Sequence, residues 1–214
     1  MKSLLISAVM VAAAIAGTPQ VSAKSLPPRD ECTAVPGAEK FRLTLATAVA
    51  NRNADMLLPL FSPEVLLDFG GGSGRELLRE RLSDPQYNLW SELDQLMVLG
   101  CGAGDGGLYL PHYWGEDLGT EDPFSTFLVV GQNIPLMKAP GYDPELKATG
   151  KLLDWEVVTL VSEWDDQAKF AEVETASKRR GYVAWTHLRS QVDYRLLATR
   201  EAGKWMVTAF VAGD

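Results

Sequence analysis

Cys32 and Cys101 are the only cysteines of the sequence, and two kinds of chemistry are open to them. In an oxidising compartment they are available for a disulfide, which would close a loop of about 69 residues and contribute about 4 kcal/mol in the chain-entropy model. The alternative is two unrelated thiols, one of them catalytic. A reactive thiol needs a nearby base, and His112 follows Cys101 at a sequence distance that says little about space. We therefore favour the disulfide.

The other polar groupings do not have the spacing of a catalytic or metal site. The acidic clusters at 116–122 and 163–166 lack the alternating ligands of a calcium loop. His112 and His187 are too few and too far apart for zinc. Glycines at 70–74 could present N–H groups to an anion, but the Lys-Ser/Thr of a nucleotide loop is missing. We predict no enzyme activity, no metal ion and no cofactor.

Composition describes an ordinary globular chain with an acidic balance. Lys and Arg total 20 against 28 Asp and Glu, which gives a formal net charge of -8, and 46% of the residues are hydrophobic. Sequence-independent nucleic-acid binding depends on cationic contacts to phosphates, so this balance argues against it. Beyond the N-terminus no apolar run reaches membrane-spanning length, and we expect no integral membrane segment.

Residues 1–23 have the pattern of a secretory signal peptide. Lys2 precedes an apolar stretch at 4–16, and small residues at 21–23 offer a cleavage site. Cys32 lies too far from the apolar stretch to carry a lipid anchor. We expect a periplasmic or secreted protein in which 24–37, with its three prolines, is a linker without a core.

Hydrophobic periodicity predicts an α+β protein whose first half is rich in helices. Apolar residues recur at helical spacing in four segments, at 39–51, 56–60, 75–82 and 89–99, and a strand is predicted at 64–69. The glycine-rich run at 100–107 is predicted to be a turn system. After residue 123 short β-type runs take over, and the chain ends in a β-hairpin at 194–212.

The segment at 126–190 resembles a bacterial Src homology 3 domain. In this family an alternating strand is followed by a Gly-Tyr/Trp-Val signature and a Leu in a short helical turn. The runs FAEVET at 170–175 and GYVAWTHL at 181–188 match this order. The runs NIPLMKAP at 133–140 and GKLLDWEVV at 150–158 take the places of the opening strands. The resemblance implies a small β-barrel, in which Gly181 would allow a sharp entry to the strand.

Residues 38–125 are similar to the nuclear transport factor 2-like (cystatin-type) α+β cone. The runs AVANRNAD at 48–55 and SPEVLLDF at 62–69 resemble its helix and first strand, and GKW at 203–205 resembles its last hairpin. The resemblance implies that the hairpin at 191–214 completes this domain; packing of the hairpin on the barrel alone is the alternative. The whole chain also resembles exported bacterial proteins that carry such a barrel, and no catalytic residues come with that resemblance.

Aromatic residues of the barrel region are the candidate binding residues, since related barrels hold extended peptides in aromatic grooves. These residues are Trp155, Trp164, Tyr182 and Trp185. In the competing interpretation Trp155 and Tyr182 fill the barrel core. We expect an exported, non-catalytic binding or scaffolding protein that contacts a cell-envelope peptide or a partner protein. The alternative is a small-molecule-binding or enzymatic pocket inside the N-terminal cone, and a hollow or filled cone distinguishes the two.

Overall fold

The structure is a computed structural model that describes residues 24–119, 122–141, 148–163, 165 and 167–213. The predicted signal peptide at 1–23 lies outside these residues, as does Trp164. The described residues form helices and two β-sheets, which confirms the mixed α+β class.

The α-helices of the described residues all lie in the first half of the chain. They are α1 (Ala38–Ala50), α2 (Ala54–Leu57), α3 (Arg75–Ser83) and α4 (Leu89–Val98). On α1, Phe41, Leu45 and Ala48 recur at helical spacing and are buried. The Asn53 side chain accepts a hydrogen bond from the backbone N–H of Met56 at 3.0 Å, which caps the start of α2.

The strands of the described residues are short and nearly all antiparallel. In chain order they are β1 (Phe61–Leu66), β2 (Gly102–Gly104), β3 (Gly107–Leu110), β4 (Thr126–Val129), β5 (Ile134–Met137), β6 (Ala148–Leu153), β7 (Val157–Leu160), β8 (Phe170–Thr175), β9 (Arg180–Ala184), β10 (Leu188–Ser190), β11 (Arg195–Glu201) and β12 (Lys204–Val211). A single 3₁₀ turn, Trp185–His187, connects β9 to β10.

The first sheet combines strands from residues 61–110 with the C-terminal hairpin, in the order β1-β12-β11-β3-β2. β12 runs parallel to β1, with Phe61 opposite Val207 and Leu66 opposite Ala209, while β11 pairs with β3. The C-terminal hairpin therefore lies between strands that precede it by more than eighty positions. Helices α1 to α4 and this sheet enclose one core, to which Leu45, Phe61 and Leu93 contribute fully buried side chains.

The second sheet is antiparallel, with the order β10-β4-β7-β8-β9-β5-β6. Its inward side chains form a separate core, which includes Phe127, Leu136 and Val183. β10 and β6 are the two edge strands in this order. β10 continues directly into β11 of the first sheet, so the chain passes from one sheet to the other beside the edge of the second.

Residues 24–31, which we call the N-terminal strap, lie against both sheets, although the sequence predicts a linker at 24–37. Ser25 forms an antiparallel bridge with Glu156 of the second sheet, and Asp30 forms a parallel bridge with Cys101 beside the first. Between these points Leu26 is only 1% exposed. It packs in a third apolar cluster, between the two sheets, with Leu99 and Leu128 among its members.

Strand β2 forms within the glycine-rich run that the sequence predicts to be a turn system. It pairs with β3, with Gly102 opposite Tyr109. A Cβ atom at Gly102 would stand 2.0 Å from the Tyr109 ring, so the ring lies where any other residue would put its side chain. Glycine is therefore required at this position by close approach of the aromatic ring, and the strand forms despite its low β propensity.

Candidate functional site

An apolar groove of about 670 Å³ lies where the second sheet passes into the C-terminal hairpin. Its floor consists of Phe127 from β4 and Leu188 from β10, with Trp185 of the 3₁₀ turn beside them. The rings of Phe127 and Trp185 meet edge to face, with centroids 5.6 Å apart. Pockets of this volume, with mostly apolar walls and few polar groups, are typical of ligand sites.

The opposite wall belongs to the chain around the hairpin. Val192 and Asp193 lie between β10 and β11, and Ala212 follows β12. The N–H of Gly213 donates to the carbonyl of Val192 at 2.7 Å, which joins the two ends of this wall. Phe124 stands at the groove and is 62% exposed, an unusual position for a phenylalanine.

Alternation along β10 decides which of its side chains reach the groove. Leu188 and Ser190 lie on the same face of β10 and line the groove. Arg189 points to the other side, where it is 2% exposed. This strand therefore supplies one hydroxyl group and one apolar side chain to the groove, while the guanidinium of Arg189 contacts helix α4.

A second pocket, of about 600 Å³, adjoins the groove and shares Ala168 and Trp185 with it. Its other lining residues include Ser162, Glu163 and Asp165, so this pocket is polar and acidic. The Trp185 side chain thus separates an apolar compartment from an acidic one.

Arg189 holds the groove in place by joining the second sheet to helix α4. Its Nη1 lies 2.7 Å from Oε1 of Gln95 and 3.4 Å from Oε2 of Glu92, and its Nη2 donates to the carbonyl of Tyr194 at 2.8 Å. Asp193, which lines the groove, lies 3.4 Å from the same Nη1. Because a buried guanidinium is costly without partners, these contacts fix the relative position of β10, α4 and the wall of the groove.

Burial raises the pKa values of Glu92 and Tyr113. Desolvation raises the pKa of Glu92, and the negative charge of Asp193 raises it further, against the opposing effect of Arg189. Burial likewise raises the pKa of Tyr113, which lies in the apolar cluster between the sheets. Loss of the Glu92 proton is therefore less favourable here than in water.

The structure separates the predicted aromatic binding residues. Trp185 lines the groove and its acidic neighbour. Trp155 is partly buried against the apolar cluster that contains Leu26, and Tyr182 lies on β9 opposite Met137. Phe124 and Phe127 complete the aromatic lining, and neither is among the binding residues predicted from the sequence. The available signal was a phenylalanine directly after Asp122-Pro123, a dipeptide that favours a turn.

Cys32 and Cys101 lie at disulfide-bonding distance, with Cα atoms 5.8 Å apart. Both are fully buried. With Asp30 they are the one group of three metal-ligand side chains that lies close together in the described part of the chain. Since the two sulfur atoms are engaged with each other, this group offers a cation only one carboxylate.

Two of the other polar candidates of the sequence, the glycine loop and Glu116, have internal partners. The Asp68 carboxylate accepts a hydrogen bond from the N–H of Gly72 at 2.8 Å and pairs with Arg81, so an internal carboxylate occupies the glycine loop. These contacts lower the pKa of Asp68. Glu116 pairs with Lys24 at 3.0 Å and Arg29 at 2.9 Å, which ties this acidic residue to the strap and lowers its pKa.

Comparison with known proteins leaves the family open. No protein-family model matches the chain, and no curated protein matches it. Among solved structures, an NTF2-like designed protein has a TM-score of 0.27 at 11% identity, covering 82% of this chain and 96% of its own. A calcium/calmodulin-dependent protein kinase II association domain from Xanthomonas campestris has a TM-score of 0.29 at 10% identity, covering 92% and 98%. None of the helices in the described ranges is long and apolar enough to cross a membrane.

Proposed function

We propose that this chain is an exported, non-catalytic binding or scaffolding protein that holds a segment of a partner protein or a cell-envelope peptide in the groove at Trp185. The observation that carries the proposal is the apolar groove of about 670 Å³ with the exposed Phe124 ring beside it. Its polar lining is one serine hydroxyl and one carboxylate, a composition suited to binding an apolar side chain.

The architecture that we propose has two lobes. The second sheet, with the 3₁₀ turn before β10, is the Src homology 3-like barrel, supported by the antiparallel order of β4 to β9. The helices and the first sheet are the nuclear transport factor 2-like cone, supported by the return of β12 to pair with β1. The groove then lies at the border of the two lobes, where one partner segment can contact both.

Export is supported by the cysteine pair. A buried pair at disulfide distance is typical of proteins that fold in an oxidising compartment, such as the periplasm or the exterior of the cell. This agrees with a signal peptide at 1–23.

Binding inside the cone is less well supported than binding at the groove. The space between the helices and the first sheet is occupied by side chains that are fully buried, namely Leu45, Leu57, Leu78, Leu93 and Leu96. These close-packed leucines fill the space that a ligand inside the cone would need. The apolar groove outside this core is therefore the preferred site.

Substitution of Phe124 by alanine tests the proposal with little risk to folding, since this ring is largely solvent-exposed. Leu152→Ala is the matched control, because Leu152 is also an exposed apolar residue of the second sheet, 49% exposed, but lies on the far edge strand β6. Wild type and both variants are crosslinked in envelope extracts, and the captured proteins are compared by mass spectrometry.

We expect wild type and Leu152→Ala to capture the same partner protein in equal amounts. Phe124→Ala and Trp185→Ala should each fail to capture it. Truncation of an aromatic anchor in an interface costs about 2 kcal/mol or more, which is about thirtyfold in affinity. Equal capture by wild type and Phe124→Ala would count against the groove as the binding surface.

A further inference from the structure

The first sheet has a face that points away from the helices. Leu196 and Ala198 of β11 are buried in the core that the sheet shares with the helices. By alternation Arg195, Leu197 and Thr199 lie on the opposite face, which we call the outer face. Leu197 is partly exposed and Thr199 is exposed, so the outer face is open to solvent along this strand.

Three aromatic side chains, which we call the aromatic row, lie at one end of the outer face. Tyr109 lies on β3 opposite Leu197, and Trp114 belongs to the 3₁₀ turn that follows β3. The rings of Tyr109 and Trp114 meet edge to face, with centroids 5.8 Å apart. Phe69, the third member, follows β1. Phe69 is 54% exposed and Trp114 is 41% exposed, so both rings remain accessible to a ligand.

The guanidinium of Arg195 connects two rings of the aromatic row. Its Cζ lies 5.5 Å from the ring centroid of Phe69 and 5.7 Å from that of Trp114. Arg195 is buried, and its Nη1 donates to the carbonyl of Gly213 at 2.8 Å. A cation over an aromatic ring is attracted by the electrons of the ring face. Both rings are therefore ordered before a ligand arrives, which lowers the entropic cost of binding.

Ordered and exposed aromatic rings suit a ligand that has flat C–H faces and polar edges. The sugar rings of an oligosaccharide have this form, since their C–H groups pack on the electron-rich face of an aromatic ring while their hydroxyl groups stay hydrated. Phe69 follows β1 and Trp114 follows β3, and two further strands lie between β1 and β3 in the sheet. An extended chain of sugars can contact both rings, whereas a single sugar ring covers only one.

The charge of the protein favours a neutral ligand on the outer face. The formal net charge of -8 repels a second copy of the chain, and it repels an anionic lipid surface in the same way. The guanidinium of Arg195 is buried and bonded to the Gly213 carbonyl, so it does not make this face a site for anions. A neutral oligosaccharide meets no such repulsion.

We propose that the aromatic row binds a neutral, extended oligosaccharide whose sugar rings stack on Phe69 and Trp114. The site shares no residue with the lining of the groove at Trp185. It is therefore a second binding site, and it does not depend on the function proposed above.

Isothermal titration calorimetry of the full chain tests this proposal with three neutral hexasaccharides. Cellohexaose and chitohexaose have β-linked, extended chains, whereas the α-linked chain of maltohexaose curls. We expect at least one of the two extended chains to bind, and to bind more tightly than maltohexaose. Failure of both extended chains to bind the wild type would overturn the inference.

Variants of the two exposed rings locate the site. Phe69→Ala and Trp114→Ala should each weaken binding of the extended oligosaccharide by about three- to tenfold, the value of one aromatic contact. Trp114→Phe keeps a ring and should retain most of the affinity. Tyr87→Ala is the matched control, because Tyr87 is 39% exposed and the Cζ of Arg81 lies 5.0 Å from its ring centroid. Urea midpoints confirm that each variant is folded.

The remaining outcomes distinguish this site from other occupants and from the groove. Unchanged sugar binding by Phe69→Ala and Trp114→Ala would overturn the inference. A dimer of the wild type in sedimentation, or its flotation with phosphatidylglycerol vesicles, would overturn it as well if Phe69→Ala abolished that association and no sugar bound. Phe124→Ala should bind the oligosaccharide as wild type does, so failure of the groove and failure of this site give different results.

Discussion

Two carboxylates show how local surroundings set opposite pKa shifts in this protein. Burial raises the pKa of Glu92 from 4.5, since its charged form loses water that Arg189 replaces only in part. Asp68 is held ionised by Arg81 and by the N–H of Gly72, which lowers its pKa from 3.8. The folded state therefore binds a proton more tightly than the unfolded state at Glu92, and less tightly at Asp68.

We predict that Glu92→Gln and Asp68→Asn change the pH dependence of stability in opposite directions. Glu92 stabilises the folded state below pH 4.5, and this stabilisation is lost as the pH rises through its raised folded-state pKa. Above pH 4.5, the free energy of unfolding of Glu92→Gln should therefore increase relative to that of wild type. Asp68 stabilises the folded state above pH 3.8, and this stabilisation is lost as the pH falls through its lowered folded-state pKa. Below pH 3.8, the free energy of unfolding of wild type should therefore no longer exceed that of Asp68→Asn on account of this carboxylate.

Urea unfolding of the three proteins between about pH 3 and about pH 7 measures both effects. Parallel curves for wild type and Glu92→Gln across this range would contradict the burial of Glu92 at the junction between β10 and α4. The two variants serve as controls for each other, since a general effect of removing negative charge would give slopes of the same sign.

At the scale of elements, the N-terminal strap connects the two sheets. It bridges Glu156 at one end and Cys101 at the other, and Cys32 lies one residue beyond it. Leu26 fills the apolar cluster between the sheets. The sequence at 24–37 predicts a linker because prolines and polar residues dominate its composition. The burial of Leu26 depends on the apolar cluster between the sheets, which the local sequence does not show.

We predict that Leu26→Ala lowers the free energy of unfolding by about 2–5 kcal/mol, the usual cost of truncating a buried leucine. Leu43→Ala is the control, since Leu43 lies on α1 with 63% of its surface exposed, and its truncation should cost less than about 0.5 kcal/mol. Urea unfolding followed by tryptophan fluorescence gives both values. Equal stabilities of the two variants would show that the strap does not contribute to the core.

Three of the four helices could be predicted closely, while α2 and some of the strands could not. α2 spans Ala54–Leu57 and not the predicted 56–60, because a 3₁₀ turn that contains Pro59 follows from Leu58. α1, α3 and α4 begin and end within about two residues of the predicted bounds, because an amphipathic helix is encoded in local spacing. The first strand was predicted at 64–69, but β1 ends at Leu66 because the Asp68 loop begins there. β2 contains Gly102, which must be glycine because the Tyr109 ring lies against it, and no local sequence pattern predicts this contact.

At the scale of the molecule, the C-terminal hairpin joins one sheet with strands from residues 61–110. β12 and β11 separate β1 from β3, so the first sheet has no continuous hydrogen bonding without them. Phe210 lies fully buried in the core of this lobe and meets Phe61 edge to face, with centroids 6.4 Å apart. The C-terminal hairpin therefore completes the sheet and the core of the helical half.

We predict that a chain ending at residue 190 loses the cooperative unfolding transition of the helical half. Its sheet would lack two neighbouring strands, and its core would lose the side chains of Leu196, Val207 and Phe210. Near-ultraviolet circular dichroism and urea unfolding of the truncated chain and the full chain measure this loss. A truncated chain with the wild-type urea midpoint would show that the hairpin is dispensable to this lobe.

The sequence by itself determined the α+β class, three of the four helices and the acidic balance, because each depends on composition or local spacing. It left the pairing of Cys32 with Cys101 as the favoured of two alternatives, and the fold brings their Cα atoms to 5.8 Å. Only the tertiary structure decided that Phe124 and Trp185 lie together, since 61 residues separate them along the chain. It also changed the reason for Gly181: a Cβ there would stand 2.6 Å from the carbonyl oxygen of Met137, so glycine permits close approach of β9 to β5. Such contacts depend on how sheets pack, and local sequence does not encode packing between distant elements.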